Sequence, residues 1–244
     1  MKPSIRLPLL AAAGGAAACL IRLGLYFFGT DEKGLLVAGH PLEIILWVLS
    51  AAAAVFVVLQ VRGETDRRRY ENNFPAGILA AVGCILFAAG LIATAISSPL
   101  AFTTLERLRN MGYFLAAAAL IAVAVFRKLG KHVPFGFHAI ICLALILHTV
   151  SYYRTWSSHP QLMDAFFPMM GCILLMLFAY YQTAFDVALG SRRMQLGSGL
   201  LAAFFCLAAL PGSSTQLLYI TGGIWALTNL CALTPAPEET EETK

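Results

Sequence analysis

The sequence predicts an all-α integral membrane protein, a bundle of eight transmembrane helices. Three observations predict it. The chain is 59% hydrophobic and 12% charged with a mean hydropathy of +0.75, against roughly half apolar and one quarter charged for a soluble domain. Its apolar residues fall into eight separated stretches, each long enough or nearly long enough to cross a hydrocarbon core, which takes about 20 residues. The stretches are continuous instead of alternating, so the backbone is satisfied within helices and not in a closed barrel. They fill residues 1–233 as a single membrane domain and leave no room for a soluble one.

The first window, 7–29, follows Lys2 and Arg6. Its apolar character continues past Cys19 through Leu25 to Phe28, and Ala16, three residues before the cysteine, is not the leucine of a lipoprotein-type site. It reads as an uncleaved span and not as a secretory signal. The second window, 41–61, runs from Pro41 to Arg62, and proline suits a first helical turn. The third, 75–97, stops before Pro99, and the fourth, 111–126, ends at Arg127 and Lys128. The fifth covers 133–151, and the sixth, 163–188, follows His159-Pro160 and precedes Arg192 and Arg193. The seventh and eighth, 196–211 and 215–233, are separated only by the turn Pro211-Gly212-Ser213-Ser214, so seven spans is the competing count.

Lys and Arg set the orientation. One set of termini and loops holds Lys2, Arg6, Arg62, Arg67, Arg68, Arg69, Arg127, Lys128, Lys131, Arg192, Arg193 and Lys244; the other holds Lys33, Arg107, Arg109 and Arg154. Twelve against four places both termini in the cytoplasm of a protein integral to the plasma membrane. Residues 234–244, with Pro235, Pro237 and four glutamates, form an acidic tail too polar to fold into a core.

The net charge of +4 is spread as caps at cytoplasmic helix ends, which excludes a nucleic-acid-binding face. The expected partner is the lipid bilayer, with anionic headgroups at Arg67, Arg68 and Arg69. The six cysteines lie in predicted spans without metal-ligand spacing, so no cofactor and no metal is expected. Gly14, Gly15, Gly83, Gly90 and Ala116 to Ala119 mark faces where helices approach closely. Tyr26, Phe27, Phe28, Tyr113, Phe114, Tyr152, Tyr153 and Trp156 read as an interfacial aromatic belt.

Ionisable residues in or beside the membrane are costly unless paired or hydrated, so they are the candidates for function. Arg22 lies about 10 Å below the outer end of its span, at 1.5 Å per residue. Glu43 opens the second span, His148 sits near the outer end of the fifth and Asp164 opens the sixth. With His40, Glu106, Arg109, Arg154 and His159 in the adjoining loops, they would line an outward-facing vestibule that binds a ligand. The structural alternative is a salt bridge of Arg22 with Glu43. On the inner side Gln182 and Asp186, one helical turn apart, form a polar pair beside Arg192 and Arg193, where an interfacial ion pair suffices. His138 reads as a satisfied interfacial histidine.

His40-Pro41-Leu42-Glu43 and His159-Pro160 with Asp164 hint at a weak 4+4 parallel repeat. No Walker loop, G-x-S-x-G or H-E-x-x-H signature is present, and neither voltage-sensor arginines nor a filter sequence suggests a channel. Two function classes remain. One is a small-solute transporter or ligand-binding permease-like protein, and the other is a non-catalytic assembly partner or sensor subunit without a ligand cavity. An intramembrane lipid enzyme ranks last, since His148 and Asp164 alone do not make a catalytic constellation.

Overall fold

The computed structural model describes residues 3–30, 36–37, 39–64, 78–98, 103–129, 131–157 and 163–233. Within them the chain forms eight helices and no strand: α1 (Pro3–Phe28), α2 (Pro41–Val61), α3 (Ile78–Ser97), α4 (Thr104–Lys128), α5 (Phe135–Trp156), α6 (Met163–Asp186), α7 (Arg192–Ala208) and α8 (Gln216–Cys231). Six of these, α1 to α6, are long and apolar enough to cross a membrane. Arg67, Arg68, Arg69, His159 and the acidic tail lie outside the described residues.

The largest departure from the predicted windows is α4, which begins at Thr104 and not near residue 111. Thr103 and Glu106 form a reciprocal capping box, with Thr103 Oγ1 accepting from the Glu106 N–H at 3.3 Å and Glu106 Oε2 accepting from the Thr103 N–H at 2.9 Å. Such a box satisfies two orphan donors and nucleates a polar first turn that hydropathy alone excludes. Arg107 and Arg109 therefore sit on a helix instead of in a loop. α5 likewise continues five residues past the predicted end at 151, to Trp156.

The chain folds back on itself from α3 onward: α3, α4, α5, α6, α7 and α8 each pack on the next, and α8 returns to α3. α1 packs on α7, α8 and α2, while α2 packs mainly on α1 and α7 and touches α6 through Trp47 and Phe166. An exchange of α1–α4 with α5–α8 would map the α6–α7 contact onto α2–α3, and the packing does not follow that exchange. The two shortest helices are the most enclosed. Ala202, Ala203, Cys206 and Ala208 of α7, and Leu218, Tyr219, Trp225 and Asn229 of α8, are all fully buried.

Close approach explains that enclosure. Gly83 and Gly90 of α3 face Thr228 and Thr221 of α8, and a Cβ at either glycine would collide with the threonine side chain. Gly15 of α1 lies against the Phe204 backbone and Leu207 of α7. Small residues let helix axes come together in this way. At the level where α3, α6 and α8 meet, Trp225 stacks on Phe87 (centroids 5.1 Å, 19°) and meets Phe178 edge-on (5.0 Å, 85°).

The outer surface is apolar. Large hydrophobic side chains are exposed on all eight helices, among them Leu20, Phe28, Val48, Ile78, Met111, Phe135, Tyr180, Met194 and Leu217. A water-soluble monomer rarely exposes apolar patches beyond a few hundred Å².

Candidate functional site

The ends of the bundle differ in chemistry. One carries the α7–α8 turn, residues 209–215, and is the predicted outer end; the other carries Arg127 and Arg192. They are called the turn end and the basic end below.

At the turn end Arg22 is 2% exposed and held by three helices. Its Nη1 donates to the carbonyl of Ala208, the last residue of α7, at 2.9 Å. Its Nη2 donates to the carbonyl of Asp164 at 2.9 Å and lies 3.7 Å from the Asp164 carboxylate. Both carbonyls need an outside donor. Ala208 is in the last turn of its helix, where carbonyls lack intrahelical partners. Asp164 would bond the N–H of residue 168, but that residue is Pro168, which has none. Tyr26 completes the cluster, donating to Asp164 Oδ1 at 2.9 Å, and the Phe167 ring lies 5.0 Å from the guanidinium carbon.

The expected Arg22–Glu43 pair does not form. Glu43 accepts the Gly39 N–H at 3.0 Å, and His40 caps the same helix by accepting the Leu42 N–H at 3.3 Å. Glu43 is occupied by its own helix start, and the acid brought to Arg22 comes from α6 instead.

His148 is 1% exposed, with Nδ1 on the Tyr113 hydroxyl and Nε2 3.0 Å from the Tyr219 hydroxyl. A neutral imidazole has one donor and one acceptor nitrogen, so the two tyrosines take opposite roles. His148 also forms part of the wall of a cavity of about 560 Å³ between the ends of α3, α4, α5 and α8. Ser97 and Ser98, Glu106 and Arg109, Thr155 and Ser213 to Thr215 line its mouth. Arg109 is positioned by Ser151 Oγ at 3.3 Å, Ser98 Oγ at 3.4 Å and Asn110 Oδ1 at 3.2 Å. Tyr152 lines the same space, and its buried hydroxyl has no hydrogen-bond partner among the described residues.

The four predicted ligand-binding residues are thus divided. Arg22 and Asp164 meet in a packed interface, His148 faces the cavity, and Glu43 joins neither. The α7–α8 turn separates the first two groups: a Cβ at Gly212, whose φ is +74°, would collide with the Tyr26 hydroxyl, while the following residues line the cavity. Arg109, expected at a vestibule from a loop, reaches the cavity from α4 instead, and the buried tyrosines are what sequence reasoning missed. Tyr113 is fully buried and Tyr152 is 6% exposed, so these two are not belt residues, and Tyr219, fully buried, was not singled out; Phe27, Phe28, Phe114 and Tyr153 are exposed as a belt would be. The available signal was spacing: Arg109 with Tyr113, and His148 with Tyr152, are four apart and share a helix face.

At the basic end Asp186 pairs with Arg127 through both oxygens, at 2.9 and 2.8 Å, instead of with Arg192 or Arg193. Both side chains are buried, and the Val133 N–H adds a bond to Asp186 at 3.3 Å. Arg192 is held by Glu64 at 2.7 Å. His138 is fully buried 3.9 Å from Asp186, and neither ring nitrogen has a hydrogen-bond partner among the described residues, so it is not a satisfied interfacial histidine. Gln182 donates to Asn229 at 2.7 Å and does not pair with Asp186. Gly171 opposite Cys206 and Phe178 opposite Gly199 set an antiparallel α6–α7 register that brings Gln182 level with Gln195. Gln195 is fully buried with both amide atoms unpartnered among the described residues. The aromatic layer of Trp225, Phe87 and Phe178 lies between these amides and the floor of the cavity.

No protein-family model, curated protein or solved structure matches this chain.

Proposed function

We propose that this chain is a multi-pass protein of the plasma membrane, crossing it eight times with both termini in the cytoplasm. It binds a small polar solute with an anionic or hydrogen-bond-accepting group in the turn-end cavity, as a transporter open to the outside. The apolar outer surface, the six long apolar helices and the twelve-to-four distribution of basic residues support the embedding. The observation that carries the solute site is the cavity itself, which sets Arg109, Glu106, His148 and a ring of hydroxyls around about 560 Å³ inside an otherwise apolar bundle. Pockets of a few hundred Å³ with few convergent polar groups are the usual form of small-molecule sites. The aromatic layer beneath it serves as the closed inner barrier, and the Gln195 amide and the Gln182 Oε1 below it, unpartnered among the described residues, suit a path that is polar on both sides of a gate.

One observation favours an assembly or sensor subunit: Arg22, the deepest charge, is fully engaged in a packed interface. Thiol labelling separates the readings. Thr155→Cys and Ser97→Cys place a thiol at the cavity mouth, and none of the six native cysteines is exposed. In intact cells a membrane-impermeant methanethiosulfonate is expected to label both variants and not the wild type, and labelling should slow in the presence of small carboxylates or inorganic phosphate. Unlabelled thiols in a folded protein would remove the outward cavity. Labelling that no member of a panel of small anions and polar solutes slows would leave the subunit reading.

A further inference from the structure

A second cleft lies at the opposite end of the bundle. At the turn end α2 touches α6 through Trp47, whose ring lies 4.8 Å from Phe166. Toward the basic end the two helices leave a groove of about 440 Å³ with α7 as its floor, walled by Val57 and Val61 on one side and Leu174 and Leu177 on the other. Gly197 lies in that lining, and a Cβ added there would find nothing nearer than Val57 and Val61 at 4.0 Å. The groove is apolar along its length and ends at two exposed guanidinium groups, Arg62 and Arg193. Arg193 is steadied by donating to the Arg62 carbonyl at 2.9 Å. The nearby carboxylate of Glu64 is taken by Arg192 at 2.7 Å, so that acid does not neutralise the pair.

We propose that this groove is a binding site for one anionic phospholipid, an acyl chain lying along α7 and the headgroup phosphate held between Arg62 and Arg193. Charge complementarity identifies the occupant. A zwitterionic lipid would fill the apolar part equally well, but its ammonium offsets the phosphate charge, so a net negative headgroup gains more from two arginines at the membrane surface. Arginine also matches phosphate oxygens in a planar, bidentate way. The site rests on the membrane embedding proposed above and is independent of the solute cavity, which opens at the other end.

Native mass spectrometry of the full chain, in detergent with equal dioleoylphosphatidylglycerol and dioleoylphosphatidylcholine, tests it. The wild type should retain one phosphatidylglycerol with roughly tenfold preference. Arg62→Gln with Arg193→Gln should lose that preference, and Arg62→Lys with Arg193→Lys should keep most of it. Gly197→Phe fills the groove and leaves both arginines in place, and it should also lose the retained lipid. The same samples give a melting temperature, which phosphatidylglycerol should raise in the wild type and the lysine pair but not in the glutamine pair or Gly197→Phe, and which soluble glycerol phosphate should not raise. No preference in the wild type, an undiminished preference in the glutamine pair or in Gly197→Phe, or an equal effect of glycerol phosphate would each overturn the proposal. Thiol labelling at the cavity stays unaffected by any of these results.

Discussion

A proline four residues after Asp164 leaves the Asp164 carbonyl without its helical donor, and Arg22 supplies the replacement. In lipid an unsatisfied carbonyl has no water to turn to, so Arg22 and Pro168 are coupled through one hydrogen bond to the Asp164 carbonyl although 146 positions separate them in the chain. Arg22→Ala is expected to destabilise by about 3 kcal/mol or more, the usual cost of removing one partner of a buried pair. In Pro168→Ala the helix regains the N–H, and the same Arg22→Ala step should cost less by roughly 1 kcal/mol, the value of one net hydrogen bond. Reversible unfolding in mixed detergent micelles across the four variants measures this, and strict additivity would refute it. The depth of Arg22 was legible from position alone, because a charge inside an apolar window must have a partner. Which partner was not, because it depends on α6 coming to lie beside α1, and no local pattern encodes that. Glu43, the nearer acid in sequence, is drawn to the Gly39 N–H of its own helix start. His148 was legible as a polar residue in an apolar run, but Tyr113 and Tyr152 beside it resembled interfacial aromatics and Tyr219 carried no signal of its own.

At the scale of helices, hydrophobic runs located all eight elements to within a few residues, except where a charged turn belonged to a helix. The first turns of α4 read as a loop because hydropathy penalises Glu106, Arg107 and Arg109, while the Thr103 to Glu106 capping box beside them marks a helix start. Arg109 and Glu106, expected at the vestibule from a loop, therefore enter the cavity wall from a helix. The glycines were more informative. Gly90 was singled out as a packing residue, and it stands where α3 meets Thr221 of α8. An added methyl in a helix ordinarily stabilises by about 0.5–1 kcal/mol, but at Gly90 it must displace the Thr221 side chain, and overpacking costs about 1–3 kcal/mol. Gly90→Ala should therefore lower the unfolding free energy by about 1 kcal/mol. Gly136→Ala on α5, where an added Cβ meets nothing within 4 Å, should leave it unchanged or raise it slightly. Equal effects of the two substitutions in the same micelles would mean that α3 and α8 are not in close contact.

For the whole molecule, the seventh and eighth helices decide the count. At 17 and 16 residues and 1.5 Å per residue they are about 25 Å long, short of a hydrocarbon core of about 30 Å. A lipid-facing helix of that length would be mismatched. These two are covered instead by α1, α2, α3 and α6, so most of their backbone meets protein and not lipid. Their turn reaches the same end as the α1 C-terminus, since Gly212 rests on Tyr26 and Ala208 on Arg22. Enclosure suits their short length, and the packing holds two separate helices where hydropathy alone also allows one. If both cross, a green fluorescent protein fused after Lys244 should fluoresce in the cytoplasm, and alkaline phosphatase at the same point should be inactive. Ser214→Cys, at the tip of the turn, should react with an impermeant maleimide only from outside the cell. A seven-span chain that merges the last two windows would place Lys244 outside and reverse both fusion results. A hairpin that enters and returns without crossing would keep the fusions as expected but leave Ser214→Cys unlabelled, so the two measurements together separate all three arrangements.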